Sequence, residues 1–206
     1  MDSLYKELSL KTSELTTSLY STSFSAGLMC MHKESRRAIF AIYGFLRQAD
    51  EIVDTFHEYD KKSLITEFEA EYYRCMERGI SLNLIINSFA LIVKRYNIPD
   101  ELVSAFLTSM KSDLNNSNFS DSGIKEYIYG SADVVGLMCL KVMTRDNPQD
   151  YERLKASAMS LSSAFQKINF LRDIKMFGIT YPLKANYINT FPILGQTTVI
   201  HRIKNK

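Results

Sequence analysis

Apolar residues in this chain recur with the period of a helix almost from the first residue. Leu4, Leu8, Leu15 and Leu19 stand among polar neighbours, as on the apolar face of an amphipathic helix over about residues 4–19. The hydroxyl-rich run Tyr20 to Ser23 supplies N-cap residues for a short helix from about Phe24. From about Lys33 to Phe56 apolar residues fall on nearly every side, including Ile39, Phe40, Phe45, Leu46 and Ile52. A helix apolar all round belongs in the middle of a bundle. Amphipathic helices follow over about 60–78, 81–96 and 100–115, broken at Gly79 and Pro99. Leu114 to Gly123 is rich in Asn, Ser and Asp and reads as a loop, and about Ile124 to Thr144 reads as a helix. A turn at Asp146 to Asp150 leads into a long helix over about Tyr151 to Lys175. After Gly178 the periodicity stops, and Pro182, Pro192 and Gly195 cluster. The expected architecture is an all-α bundle over 1–175 with an irregular tail over 176–206, and no strand pattern or internal repeat is evident.

Composition sharpens this in three ways. Hydrophobic residues at 46% and charged residues at 23% of 206 exclude wholesale disorder. A formal net charge of +2 gives no electrostatic case for nucleic acid. Three widely spaced cysteines, Cys30, Cys75 and Cys139, fit a reducing compartment rather than a disulfide framework. The amino terminus lacks the pattern of a secretory signal, and the most apolar stretch, Leu82 to Val93, falls short of the roughly 20 residues of a span. A cytoplasmic protein is expected, with a peripheral contact with lipid left open.

Charges placed where charges are costly suggest the chemistry. On the most apolar helix, Asp50 and Asp54 are four residues apart, and Arg47 precedes Asp50 by three, so all three share a stripe. In isolation such a pair reads as a solvated rim. A second stripe changes that reading: Ser162, Gln166, Asn169 and Asp173 repeat at three- and four-residue spacing, opposite Leu161, Ala164, Phe165, Ile168 and Leu171. If the stripes face each other, they form a polar mouth inside an apolar bundle. Oxygen ligands without histidine favour Mg²⁺ over zinc or iron, and protein-bound Mg²⁺ is usually shared with substrate phosphates. A di-iron bundle would need Glu-x-x-His on two helices, and Asp54 with His57 is the one similar spacing here.

Several blocks carry a family likeness: Tyr20 to Phe24; Arg36, Arg37 and Ala38; Tyr43 to Asp54; Tyr127 to Gly136; and Ala164 to Asp173. In this order they resemble the squalene/phytoene synthase family, most closely its bacterial phytoene synthases. The resemblance implies an isoprenoid-synthase-like helical bundle. It also implies head-to-head condensation of two prenyl diphosphates, with two geranylgeranyl diphosphates giving phytoene and releasing diphosphate, as in carotenoid biosynthesis. It assigns Asp50 and Asp54 to the first aspartate-rich motif, which binds Mg²⁺, and Asn169 and Asp173 to the second. By the same likeness Arg47 and Arg172 lie near the diphosphates with Gln166 beside them, and Ser23 and Phe24 belong to a segment over the site. Tyr127 and Tyr129 correspond to the aromatic pair near the reacting cation, although both also read as ordinary core aromatics.

The chain departs from the family where Phe177 stands four residues after Asp173 in place of an acid, and where Ile179 replaces an arginine before Tyr181 and Pro182. It also ends before the family's last helices, so the expectation is a bundle incomplete at its C-terminus. The alternatives are a squalene- or dehydrosqualene-type synthase, or a catalytically inactive truncated helical module.

Overall fold

A computed structural model describes residues 3–114, 121–145 and 147–177, with backbone alone for 121–124 and 169–177. All its regular elements are helical: α1 (Ser3–Tyr20), α2 (Thr22–Leu28), α3 (Lys33–Asp54), α4 (Lys61–Arg78), α5 (Leu84–Tyr96) and α6 (Asp100–Asp113). Then come α7 (Asp121–Ile128), a π-helical turn (Tyr129–Asp133), α8 (Val134–Met143) and α9 (Pro148–Phe177). The all-α expectation holds, and the tail beyond Phe177 lies outside the described residues.

Local chemistry sets the boundaries. Asn83 accepts from the backbone N–H of Ile85 and Ile86 and so starts α5. Asn147 accepts from Gln149 and Asp150, and Pro148 occupies the first helical position, where its missing N–H costs nothing. The last helix therefore begins inside the segment expected to be a turn. Gly79 ends α4 in the left-handed region at φ 85°, which an L side chain rarely adopts. Of the loop expected over 114–123, residues 121–123 belong to α7 and residues 115–120 lie outside the described residues. The helix expected over 124–144 contains the π turn, whose extra residue per turn no periodicity reveals.

The central position of α3 is as expected: every residue from Ala38 to Arg47 is buried. Phe45 is its hub, with its ring centroid 4.0 Å from that of Phe89, 4.8 Å from Phe68 and 5.4 Å from Tyr72.

The first helix is inverted relative to expectation. Its buried residues are Ser9, Ser13 and Thr17, while Leu4, Leu8, Leu15 and Leu19 are exposed. The physical reason is close approach combined with hydrogen bonding. A Cβ added at Gly44 would lie 2.9 Å from Ser13 Oγ, so α1 and α3 touch at a point where only small side chains fit. Ser13 Oγ shares a 2.6 Å hydrogen bond with Ser88 Oγ, and Asn87 Nδ2 donates to Ser9 Oγ at 2.8 Å. Paired in this way, the hydroxyls are buried without the penalty of unmet polar groups. A contrast tests this arrangement. Ser13→Leu is expected to destabilise the fold by about 1–3 kcal/mol through overpacking, whereas Leu15→Ala should stay within about 0.5 kcal/mol; urea unfolding midpoints decide.

Candidate active site

The best-developed polar group inside the bundle is built from α3, α6 and α7. Arg47 and Asp50 are each only 6% exposed, and Arg47 Nη1 donates to Asp50 Oδ2 at 2.8 Å. Nη2 of the same guanidinium meets Glu51, and its plane sits 4.3 Å from the centroid of the Tyr20 ring at the end of α1. One arginine is thus clamped by two carboxylates and an aromatic face, all set by helical spacing along α3. Asp54, one turn beyond Asp50, is half-buried.

A third carboxylate joins this pair from α6. Asp113 accepts a hydrogen bond from the Tyr127 hydroxyl at 3.3 Å, which connects α6 to α7. Burial, then the charges of Asp54 and Asp113, push the Asp50 carboxyl well above its ordinary value despite Arg47. Burial and Asp54 do the same to Asp113, opposed by the Tyr127 hydrogen bond. Acids whose charges raise one another's carboxyls in an apolar bundle are costly unless protonated or neutralised by a cation. Nothing about Asp113 stands out in a linear reading, because an acid at a helix end is usually solvated. The signal available is its spacing: Val103, Phe106 and Met110 are buried on one face, and Asp113 continues that stripe.

These shifts have a sign that experiment can check. A carboxyl raised in the fold favours the native state at low pH, and that contribution is lost as pH rises from the unfolded carboxylate range through the raised native values. The metal-free protein is therefore expected to melt at lower temperature at about pH 7.5 than at about pH 5.5. Added Mg²⁺ should recover much of the loss at the higher pH, as read by calorimetry.

The remaining expected residues are distributed as follows. Tyr127 is buried and joined to Asp113. Tyr129 is not part of that group: two residues on along the helix it faces another side, is 38% exposed, and lies close to Tyr151. Of the two, Tyr127 is the one bonded to the carboxylate group. Phe24 is buried with its ring centroid 5.6 Å from Tyr43, whereas Ser23 is exposed. Gln166 is fully buried on α9, and its Nε2 donates to Ser131 Oγ at 3.5 Å on the π turn. Among the described residues its Oε1 has no hydrogen-bond donor. Ser163 donates to Asp133 at 2.8 Å, so α9 is held to the π turn by two side-chain bonds. Among the described residues α9 packs on the π turn and α8, and α3 packs on α6 and α8. Asn169, Arg172 and Asp173 lie on the backbone of α9, and their side chains are outside the described residues.

Among the described residues no group of three His, Cys, Asp or Glu is placed to hold a metal ion. The donor chemistry nevertheless fits a hard cation, since Asp50, Asp54 and Asp113 supply only oxygen and repel one another when charged. A cavity of about 580 Å³ adjoins this group, sharing Tyr20, Arg47 and Glu51 with it and lined also by Asn83 among others. Its polar groups are already engaged: Glu51 with Arg47, Asn83 with Gln48, and Glu71 with Arg74 and Ser81.

Comparison with known proteins agrees with the helical fold. The squalene/phytoene synthase family model matches residues 17–176. The chloroplastic phytoene synthase 1 of Arabidopsis thaliana is 31% identical over 164 residues, covering 75% of this chain and 37% of that protein. The 4,4'-diapophytoene synthase of Staphylococcus haemolyticus (strain JCSC1435) is 27% identical over 158 residues, covering 75% of this chain and 54% of that protein. Among solved structures, a ligand-bound dehydrosqualene synthase superposes with a TM-score of 0.72 at 19% identity, covering 97% of this chain and 72% of that one. A squalene synthase from Alicyclobacillus acidocaldarius gives the same TM-score and identity, covering 85% of this chain and 65% of that one. At such identity these two likenesses concern the fold. No helix among the described residues is long and apolar enough to cross a membrane.

Proposed function

The chain belongs to the squalene/phytoene synthase family, and on that premise we propose that it joins two prenyl diphosphates head to head, with two geranylgeranyl diphosphates giving phytoene. The observation that carries this reading is the grouping of buried Asp50 with half-buried Asp54 and Asp113, whose charges disfavour one another in the absence of a cation. Asp50 and Asp54 would hold Mg²⁺, with Asp173 from α9 as a further oxygen donor. When bound, the ion supplies neutralisation of a departing diphosphate.

The chain's own residues divide the remaining work. Arg47 keeps Asp50 oriented through its 2.8 Å bond and holds positive charge beside the diphosphate position. Arg172 and Asn169 would extend that anion-binding side from α9. Tyr127 is fixed by Asp113, and its aromatic ring offers a π face to an allylic cation. Among the described residues Gln166 Oε1 has no donor, and it would accept one from the substrate. Ser23 and Phe24 lie on α2 at the end nearest Tyr43, where a covering segment would exclude water. Tyr129 enters this scheme only as a more remote aromatic.

A squalene- or dehydrosqualene-type reaction is the second reading, since the matched family is described by squalene as well as phytoene synthases. Offering the purified protein equal geranylgeranyl and farnesyl diphosphate with Mg²⁺ separates the two, with hydrocarbons extracted and identified by mass. Phytoene as the main product is expected. Products built from farnesyl units would establish the second reading, and no hydrocarbon from either would establish a catalytically inactive module.

A further inference from the structure

Asp50 and Asp54 are held by the chain in very different ways. Asp50 is buried within α3 and fixed by its 2.8 Å bond from Arg47. Asp54 is the final residue of the same helix, which is a poor place for an oxygen ligand. The last carbonyls of a helix have no intrahelical donors and the last turn frays, so a side chain there is weakly fixed. The helix dipole also turns its negative end toward an acid in the last turn. No basic residue of α3 itself stands in that turn to offset it.

Lys61, the first residue of α4, meets both difficulties. Its Nζ donates to the Val53 carbonyl at 2.8 Å. That carbonyl belongs to the peptide unit whose nitrogen is Asp54's own, so the bond fixes the plane from which Asp54 departs. In a continued helix the carbonyl would accept from the N–H of residue 57. Here the His57 N–H goes instead to the Thr55 carbonyl at 2.8 Å, and Lys61 takes its place. The half-buried ammonium is itself held, since Nζ lies 3.0 Å from His57 Nδ1. Asp60 anchors the helix behind it by accepting from the Ser63 N–H at 3.1 Å. A cation at a helix C-terminus also opposes the negative end of the dipole. We propose that Lys61 is a positioning residue of the carboxylate site, holding the Val53–Asp54 peptide and the end of α3 so that the Asp54 carboxylate is kept in place for Mg²⁺. The inference rests on the reading of Asp54 as an Mg²⁺ holder given above.

Wild type, Lys61→Met and Lys61→Arg are to be compared as full chains. Geranylgeranyl diphosphate binding is followed by calorimetry at a series of Mg²⁺ concentrations, and melting temperatures are taken without metal. Lys61→Met should need at least about tenfold more Mg²⁺ for half-maximal binding, the scale on which partners of metal ligands act. Its diphosphate affinity at saturating Mg²⁺ should match wild type, and its metal-free melting temperature should stay within about 4 °C. Lys61→Arg, which keeps a charged donor, should recover most of the Mg²⁺ response. An unchanged Mg²⁺ requirement in Lys61→Met would overturn the inference, and a lower metal-free melting temperature beside it would leave Lys61 a helix cap alone. Weaker binding at saturating Mg²⁺ would make Lys61 a contact of the diphosphate instead. An arginine variant as impaired as the methionine one would also count against it, because the charged donor would not be what matters. Wild-type binding indifferent to Mg²⁺ would overturn the inference together with the reading of the carboxylates beneath it, whereas the other results leave that reading standing.

Discussion

Asp50→Asn is expected to lower turnover of prenyl diphosphate by roughly two to three orders of magnitude without unfolding the protein. Asparagine keeps the size of the side chain and an oxygen that accepts from Arg47, so the packing of α3 around residue 50 is retained. What disappears is a negative charge that burial and the neighbouring acids disfavour. Arg47 stays neutralised through Glu51, so no unpaired buried charge is created. Removing one of three mutually repelling carboxylates also relieves Asp54 and Asp113. The melting temperature of the metal-free variant should therefore not fall. Undiminished turnover would refute the role assigned to Asp50, and a large loss of stability would recast it as a structural residue.

The largest effect on stability is expected on the other side of the same helix. Phe45 is fully buried and packs against rings from α4, α5 and α6. Phe45→Ala removes the residue that those three helices share, and should cost about 3–5 kcal/mol. For a chain of this size that corresponds to a fall in melting temperature of roughly 10 °C. Phe45 and Asp50 occupy opposite sectors of α3, so diphosphate binding by the variant, measured below its melting point, should survive. A shift of only a degree or two would mean that α3 does not form the centre of the core.

These two residues also show what can be read in the chain before its structure. The role of α3 was legible because a helix with apolar residues on every side has only one stable location, and an acid pair within it is conspicuous. The same logic fails for α1. Hydrophobicity alone turns Leu8 and Leu15 inward, but Gly44, Asn87 and Ser88 on other helices make a surface that accepts hydroxyls at close range and leaves no room for leucine. Such complementarity belongs to residues far apart in sequence. Asp113 was obscured for a related reason: its importance comes from Asp54 and Tyr127, not from its neighbours along α6. Tyr129 was grouped with Tyr127 by motif, whereas two steps along a helix place the pair on different sides.

The role of the carboxylate group as a cation-dependent diphosphate site is tested most directly by calorimetric titration of the purified protein with geranylgeranyl diphosphate, with Mg²⁺ and again with excess chelator. Saturable binding in Mg²⁺ that is lost with chelator, and lost again in Asp50→Asn, is the predicted result. Binding of equal affinity under all three conditions, or no binding under any, would contradict it.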